Sequence, residues 1–177
     1  RVLDLYNCNK IYNVYDSFLG FPSFSYESNI NPNFHLEKSS LSCSISKYTY
    51  FLEKFNIHKM PSIHQGIFQE NHCDLYPSSI SLAIFDSCIY DSILSSFNII
   101  WDKLNNGGII IINKYDNSDY FGVKDACISF FKKIQNDLYS KYTYDILYNN
   151  YNILIINKIY KSTNNISLNN DIILNND

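Results

Sequence analysis

The sequence predicts an α/β fold with a mainly parallel sheet and an antiparallel C-terminal edge. Three observations point there. Short β-branched and aromatic runs alternate with segments of helical period, which is the pattern of strands joined by crossover helices. One run, Ile109 to Ile112, is apolar without alternation, as expected of a strand buried on both faces. The chain then closes on two strand-like runs around Asn149-Asn150, a hairpin signature.

Taken in order, "RVLDLYNC" puts Val2, Leu3 and Tyr6 on one helical face, the end of a helix entered from upstream. "IYNVYD" (Ile11 to Asp16) is a short strand ending in an acid, and the Gly20, Pro22 and Pro32 region after it is loop. Ser44 is placed to cap a helix through Phe55, with Ile45, Tyr48, Phe51, Leu52 and Phe55 at helical spacing. A strand follows at Ser62 to Gln65, closed by Gly66, and "SLAIFD" (Ser81 to Asp86) is another strand ending in an acid. From Asp91, the positions Ile93, Leu94, Phe97, Ile100, Trp101 and Leu104 mark an amphipathic helix stopped by Asn106-Gly107-Gly108. Val123, Ala126, Cys127, Phe130, Phe131 and Ile134 mark one more helix before the hairpin. Residues 1–160 are expected to form one domain, and the Asn-rich stretch 161–177 a disordered tail. No internal repeat is visible.

Composition narrows the function classes. A length of 177 residues with 46% hydrophobic content suits one domain with a real core. A net charge of −3 with few, scattered basic residues argues against a nucleic-acid partner. No apolar run approaches a membrane span, so no membrane partner is expected. The five cysteines lack any CxxC pair and read as reduced thiols of a cytoplasmic protein. His35, His58, His64 and His72 do not fall at metal-ligand spacing, and neither Cys73 nor Cys88 has a basic neighbour in sequence to activate a thiolate.

The junctions after the strands carry a resemblance. "YDSFLGFP" (Tyr15 to Pro22), "HQGIFQEN" (His64 to Asn71), "IFDSCIYDSI" (Ile84 to Ile93) and "LNNGGIIIINKY" (Leu104 to Tyr115) resemble segments written DSFxGxP, KGxFxDT, MDGDLYEST and LSPGGxVIVDDY. "GVKDACISFF" (Gly122 to Phe131) is similar to the Gly-x-x-x-Ala helix that follows them. Together, from Arg1 to about Lys158, the chain resembles the macrocin O-methyltransferase (TylF-like) family of S-adenosylmethionine-dependent methyltransferases.

That resemblance implies a class I methyltransferase (Rossmann-like) sheet whose last two strands form the hairpin. It also implies a first strand and a glycine-rich turn for the methionine part of the cofactor ahead of the helix ending near Cys8; neither stands in this sequence, which is either truncated or without a complete cofactor pocket. Asp16, with Ser17 beside it, matches the acid that accepts the cofactor's ribose hydroxyls, and Phe68 and Gln69 would lie near the adenine. The family centre holds magnesium on three carboxylates, which match Asp86, Asn113 and Lys114. Only Asp86 is an acid here. Asn113 is at most a neutral ligand by position, and an ammonium at Lys114 is no ligand. Cys88 stands for a further acid of the DGDLY segment, and Glu70-Asn71 for Asp-Thr.

Two functions follow from the resemblance. One is methyl transfer to a sugar or glycan hydroxyl, with Asp86 as base or orienting group and Lys114 as a local cation in place of the metal. The other is a catalytically inactive module, a pseudoenzyme, within a longer protein. The expected partners are a small-molecule or glycan acceptor, with a homo-oligomer or further domains of a longer chain also open.

Overall fold

A computed structural model describes residues 9–21, 39–68, 75–150 and 152–161. The expected helix end at Val2–Tyr6, most of the proline-containing loop, Gln69 and the tail from Ser162 lie outside these residues. The described residues fall into two compact units.

The first unit pairs β1 (Asn13–Asp16) with β2 (Ser62–Gln65) in parallel, Asn13 opposite Ser62 and Asp16 opposite Gln65. Between them in sequence lies α1 (Ile45–Lys54), where Ser44 caps the first turn by accepting from the Lys47 N–H at 3.2 Å. That hydroxyl satisfies one of the amides a helix start leaves without a partner. The helix stops one residue before the expected Phe55, and no residue of it is fully buried.

The second unit is a four-stranded sheet in the order β3 (Ile80–Phe85), β4 (Leu104–Asn113), β6 (Ile153–Tyr160), β5 (Tyr142–Asn149). β3 and β4 are parallel, while β4–β6 and β6–β5 are antiparallel. The crossover between β3 and β4 is α2 (Tyr90–Lys103), and α3 (Gly122–Asn136) connects β4 to the hairpin. The predicted combination of parallel strands with an antiparallel C-terminal hairpin is therefore observed, although two of the three pairings in this sheet are antiparallel.

Burial explains the arrangement. Phe97 of α2 is fully buried, stacks on Phe130 of α3 at 4.3 Å, and meets Phe85 of β3 edge-on at 5.0 Å. Phe131 stacks on Tyr144 of β5 at 4.2 Å, and burial pushes that phenol up to about 12. Aromatic pairs of this kind each contribute about 0.5–1.5 kcal/mol beyond the area they bury. Ile110, Ile112, Leu154 and Ile156 are fully buried on the same sheet face.

The other face differs from expectation. Ile109 and Ile111 are only half-buried, and Leu82 and Ile84 are exposed, so β4 is sealed on one face and not on both. β4 also starts earlier than its isoleucines, at Leu104, so the Gly-Gly pair lies inside the strand. Its pairing with β3 is irregular between Ile80 and Leu82, and Gly107 adopts φ +75°, a left-handed value that side chains resist.

A buried cation closes the end of α2. Lys158 of β6 is 3% exposed and donates from Nζ to the carbonyls of Trp101 at 2.7 Å and Leu104 at 2.9 Å. It also lies over the Tyr142 ring at 4.5 Å. Burial holds its pKa below the usual lysine value, partly offset by Asp102.

Candidate active site

Parallel pairing brings the carboxyl ends of neighbouring strands to one edge of a sheet, and that edge is where α/β sheets bind ligands. Each unit has such an edge.

In the first unit it gathers Asp16, Ser17 and Phe68. Asp16 is exposed, and its Oδ1 accepts from the Phe18 N–H at 2.6 Å in a turn that carries Phe18 to φ +59°. The Ser17 hydroxyl likewise accepts from the Leu19 N–H at 3.2 Å. Asp16 thus has a turn-forming role of its own, which leaves its other carboxylate oxygen outside that bond. The Phe68 ring meets Tyr15 edge-on at 5.6 Å, and Tyr15 stacks on His64 at 4.5 Å. Beside the strand ends, Phe18, Leu19, Ser42, Cys43, Ser44 and Gln65 line an open cavity of about 510 Å³.

In the second unit, β3 delivers Asp86 and β4 delivers Asn113 and Lys114. The Lys114 ammonium lies 2.8 Å from Asp86 Oδ1 and 3.2 Å from the Asp86 carbonyl. The Asn113 amide donates to the same Oδ1 at 3.1 Å. Lys114 sits at φ +61° and is 5.9 Å from the centre of the Tyr120 ring. The loop beyond is pinned on three sides. Lys124 of α3 pairs with Asp116 at 3.0 Å, the Tyr115 N–H donates to the Asn152 carbonyl at 3.2 Å, and Asn117 caps the short 3-10 turn Ser118–Tyr120.

Of two neighbours of this cluster, Cys88 holds the motif position noted in the sequence, and Tyr120 was not legible there. Cys88 is buried and within hydrogen-bonding reach of Lys114, although no base is near it in sequence. Burial pushes its thiol up by more than Lys114 pulls it down. Tyr120 belongs to the loop that Asn117 shapes. The only sequence signal for Tyr120 is its distance from a strand end. By contrast, Tyr115 is buried in the core, and Tyr90 donates to Ser129 at 3.1 Å to tie α2 to α3.

The donor set does not suit a divalent metal. Such an ion takes several oxygens, preferably carboxylate. Here one carboxylate faces an amide N–H and an ammonium, and no cluster of three His, Cys, Asp or Glu able to hold a metal occurs among the described residues. The charges are balanced internally instead.

Comparison with known proteins agrees with the topology. The O-methyltransferase NovP superimposes with a TM-score of 0.70 at 14% identity, over 89% of this chain and 64% of NovP. The calicheamicin methyltransferase CalS11 gives 0.60 at 17% identity, over 88% of this chain and 63% of CalS11. The chain therefore spans a little under two thirds of either enzyme. No curated protein matches its sequence. A sequence profile described as macrocin-O-methyltransferase (TylF) matches residues 3–142, a stretch that contains both strand-end clusters. The chain is a member of the macrocin-O-methyltransferase (TylF) family and has the class I methyltransferase fold.

Proposed function

We propose that this protein transfers a methyl group from S-adenosylmethionine to a hydroxyl of a sugar or glycan. The observation that carries the proposal is Asp86. It is an exposed carboxylate at the carboxyl end of a parallel strand, with a cation 2.8 Å away, in a chain of this family. When bound, the cofactor would supply an electrophilic methyl carbon for the acceptor oxygen, with S-adenosylhomocysteine as the leaving group. Asp86 takes the hydroxyl proton, and the Lys114 ammonium stabilises the charge developing on oxygen.

The first unit supplies cofactor contacts. Asp16 suits ribose hydroxyls because an ionised carboxylate has about four acceptor sites and the Phe18 N–H uses one. Ser17 joins it, and Phe68 serves the adenine, a role the family match also gives to Gln69, which lies outside the described residues. The acceptor is a small molecule or glycan, and the description of CalS11 as a TDP-rhamnose 3'-O-methyltransferase is what supports that class. None of the helices among the described residues is long and apolar enough to cross a membrane. Free Cys43, Cys88 and Cys127 support a reducing, cytoplasmic setting.

A second reading is a catalytically inactive binding module, a fold kept after its chemistry is lost. One observation favours it: Asp86 Oδ1 is already held by both Lys114 and Asn113. Calorimetric titration of the full-length protein with S-adenosylmethionine, with and without magnesium, separates the two. Heat together with S-adenosylhomocysteine release in the presence of nucleotide sugars supports the enzyme. No heat under either condition sinks it and leaves the inactive module.

A further inference from the structure

The geometry points to Lys114 as a built-in counter-cation. It makes the second-unit cluster refuse Mg2+ and Mn2+, and two substitutions, Asn113→Asp and Lys114→Asp, would turn the cluster into a site that accepts them. Convergence is the first argument. The Lys114 ammonium at 2.8 Å and the Asn113 amide at 3.1 Å both address Asp86 Oδ1, so that oxygen already faces two donors where a divalent ion would need further carboxylate oxygens. Hard divalent ions bind where such oxygens meet.

Packing is the second. The ammonium also donates to the Asp86 carbonyl at 3.2 Å, approaches the Tyr120 ring and reaches Cys88. It is a seated charge with its own partners, and an incoming dication would meet it head-on.

Backbone geometry is the third. Lys114 sits at φ +61°, where Asp and Asn are several-fold enriched among side-chain-bearing residues. A lysine gains nothing from that conformation, and Lys114→Asp puts no new strain on the chain. Asn113→Asp keeps the side chain's shape. The two changes therefore alter charge and ligand chemistry while leaving the strand ends in place.

The test is Mn2+ titration of the full-length protein followed by electron paramagnetic resonance, with thermal melting in parallel. Wild type is expected to show no specific site. The Asn113→Asp/Lys114→Asp variant is expected to bind one Mn2+ per chain at least ~10-fold more tightly, because added ligand charge raises affinity. Its melting temperature should fall without metal, from carboxylate repulsion, and recover with it. One Mn2+ bound by wild type and lost in Asp86→Asn overturns the inference, as does a folded double variant that binds none. If the double variant does not fold, Lys114→Asp alone carries the same two outcomes, with Asn113 as a neutral ligand. The inference does not rest on methyl transfer, so a failed activity assay and a failed metal titration are separate results.

Discussion

Replacing Asp86 by Asn separates a catalytic role from a structural one. The side chains of Lys114 and Asp86 are 32% and 65% exposed, so water screens the pair despite its 2.8 Å separation. Exposed pairs of this kind contribute about 0.2–1 kcal/mol. Asn retains an oxygen for both Lys114 and Asn113, so the stability cost should be under ~1 kcal/mol, or roughly 2–4 °C in Tm for a chain of this size. Loss of a general base typically lowers the rate ~10²–10⁴-fold, equivalent to about 3–5 kcal/mol in the barrier. The rate effect should therefore exceed the stability effect several-fold. Initial rates of S-adenosylhomocysteine formation measure the first, circular-dichroism melting the second, and calorimetry verifies that cofactor binding is kept. A loss of less than about tenfold with an unchanged Tm would refute Asp86 as the base. A Tm drop beyond ~8 °C would show that the pair is structural.

Two further outcomes test the surrounding architecture. Lys158→Met removes the donor to two buried carbonyls, and hydrogen bonds to charged groups are worth about 1.5–3 kcal/mol each. Relief of the buried ammonium offsets part of that, so a net loss of roughly 2–4 kcal/mol should appear in urea unfolding; a neutral result would show that the methionine packs as well as the cap. The second outcome concerns pH. Burial works to lower the Lys114 pKa, but the bond to Asp86 and the neighbouring Cys88 raise it above the usual lysine value. A group whose pKa is raised on folding stabilises fully below its unfolded value and loses that contribution as pH climbs through the folded one. The difference in Tm between wild type and Lys114→Met should accordingly stay constant to about pH 10 and shrink only above it, and shrinkage near neutrality would contradict the pairing.

Periodicity made most of the fold legible. The apolar spacing from Ile93 to Trp101 is a helix in the structure, and Ser44 caps the helix expected after it. Leu104 was misleading because it continues the helical period, yet it begins β4; Lys103 ends the helix, and the next residues pair with β3. The two-sided burial expected of β4 failed because an unalternating isoleucine run reports hydrophobicity and not which face is covered. At the site, Asp86, Asn113 and Lys114 were legible as strand-end residues, and the structure brings them into contact. Lys158 was not, since its partners Trp101 and Leu104 lie far away in sequence, and for the same reason the nearness of Cys88 to Lys114 was not.

The cap on α2 also orders events in time. Its donor, Lys158, lies 54 and 57 residues beyond the carbonyls it serves, and β4, α3 and β5 must all be synthesised first. A nascent chain halted before Lys158 holds the last turn of α2 without its cation, and β4 without its antiparallel neighbour. Closing so long a loop is entropically costly and slow. β6 thus acts as a check on this sheet: α2 and β4 reach full stability only once the chain has been made as far as Lys158.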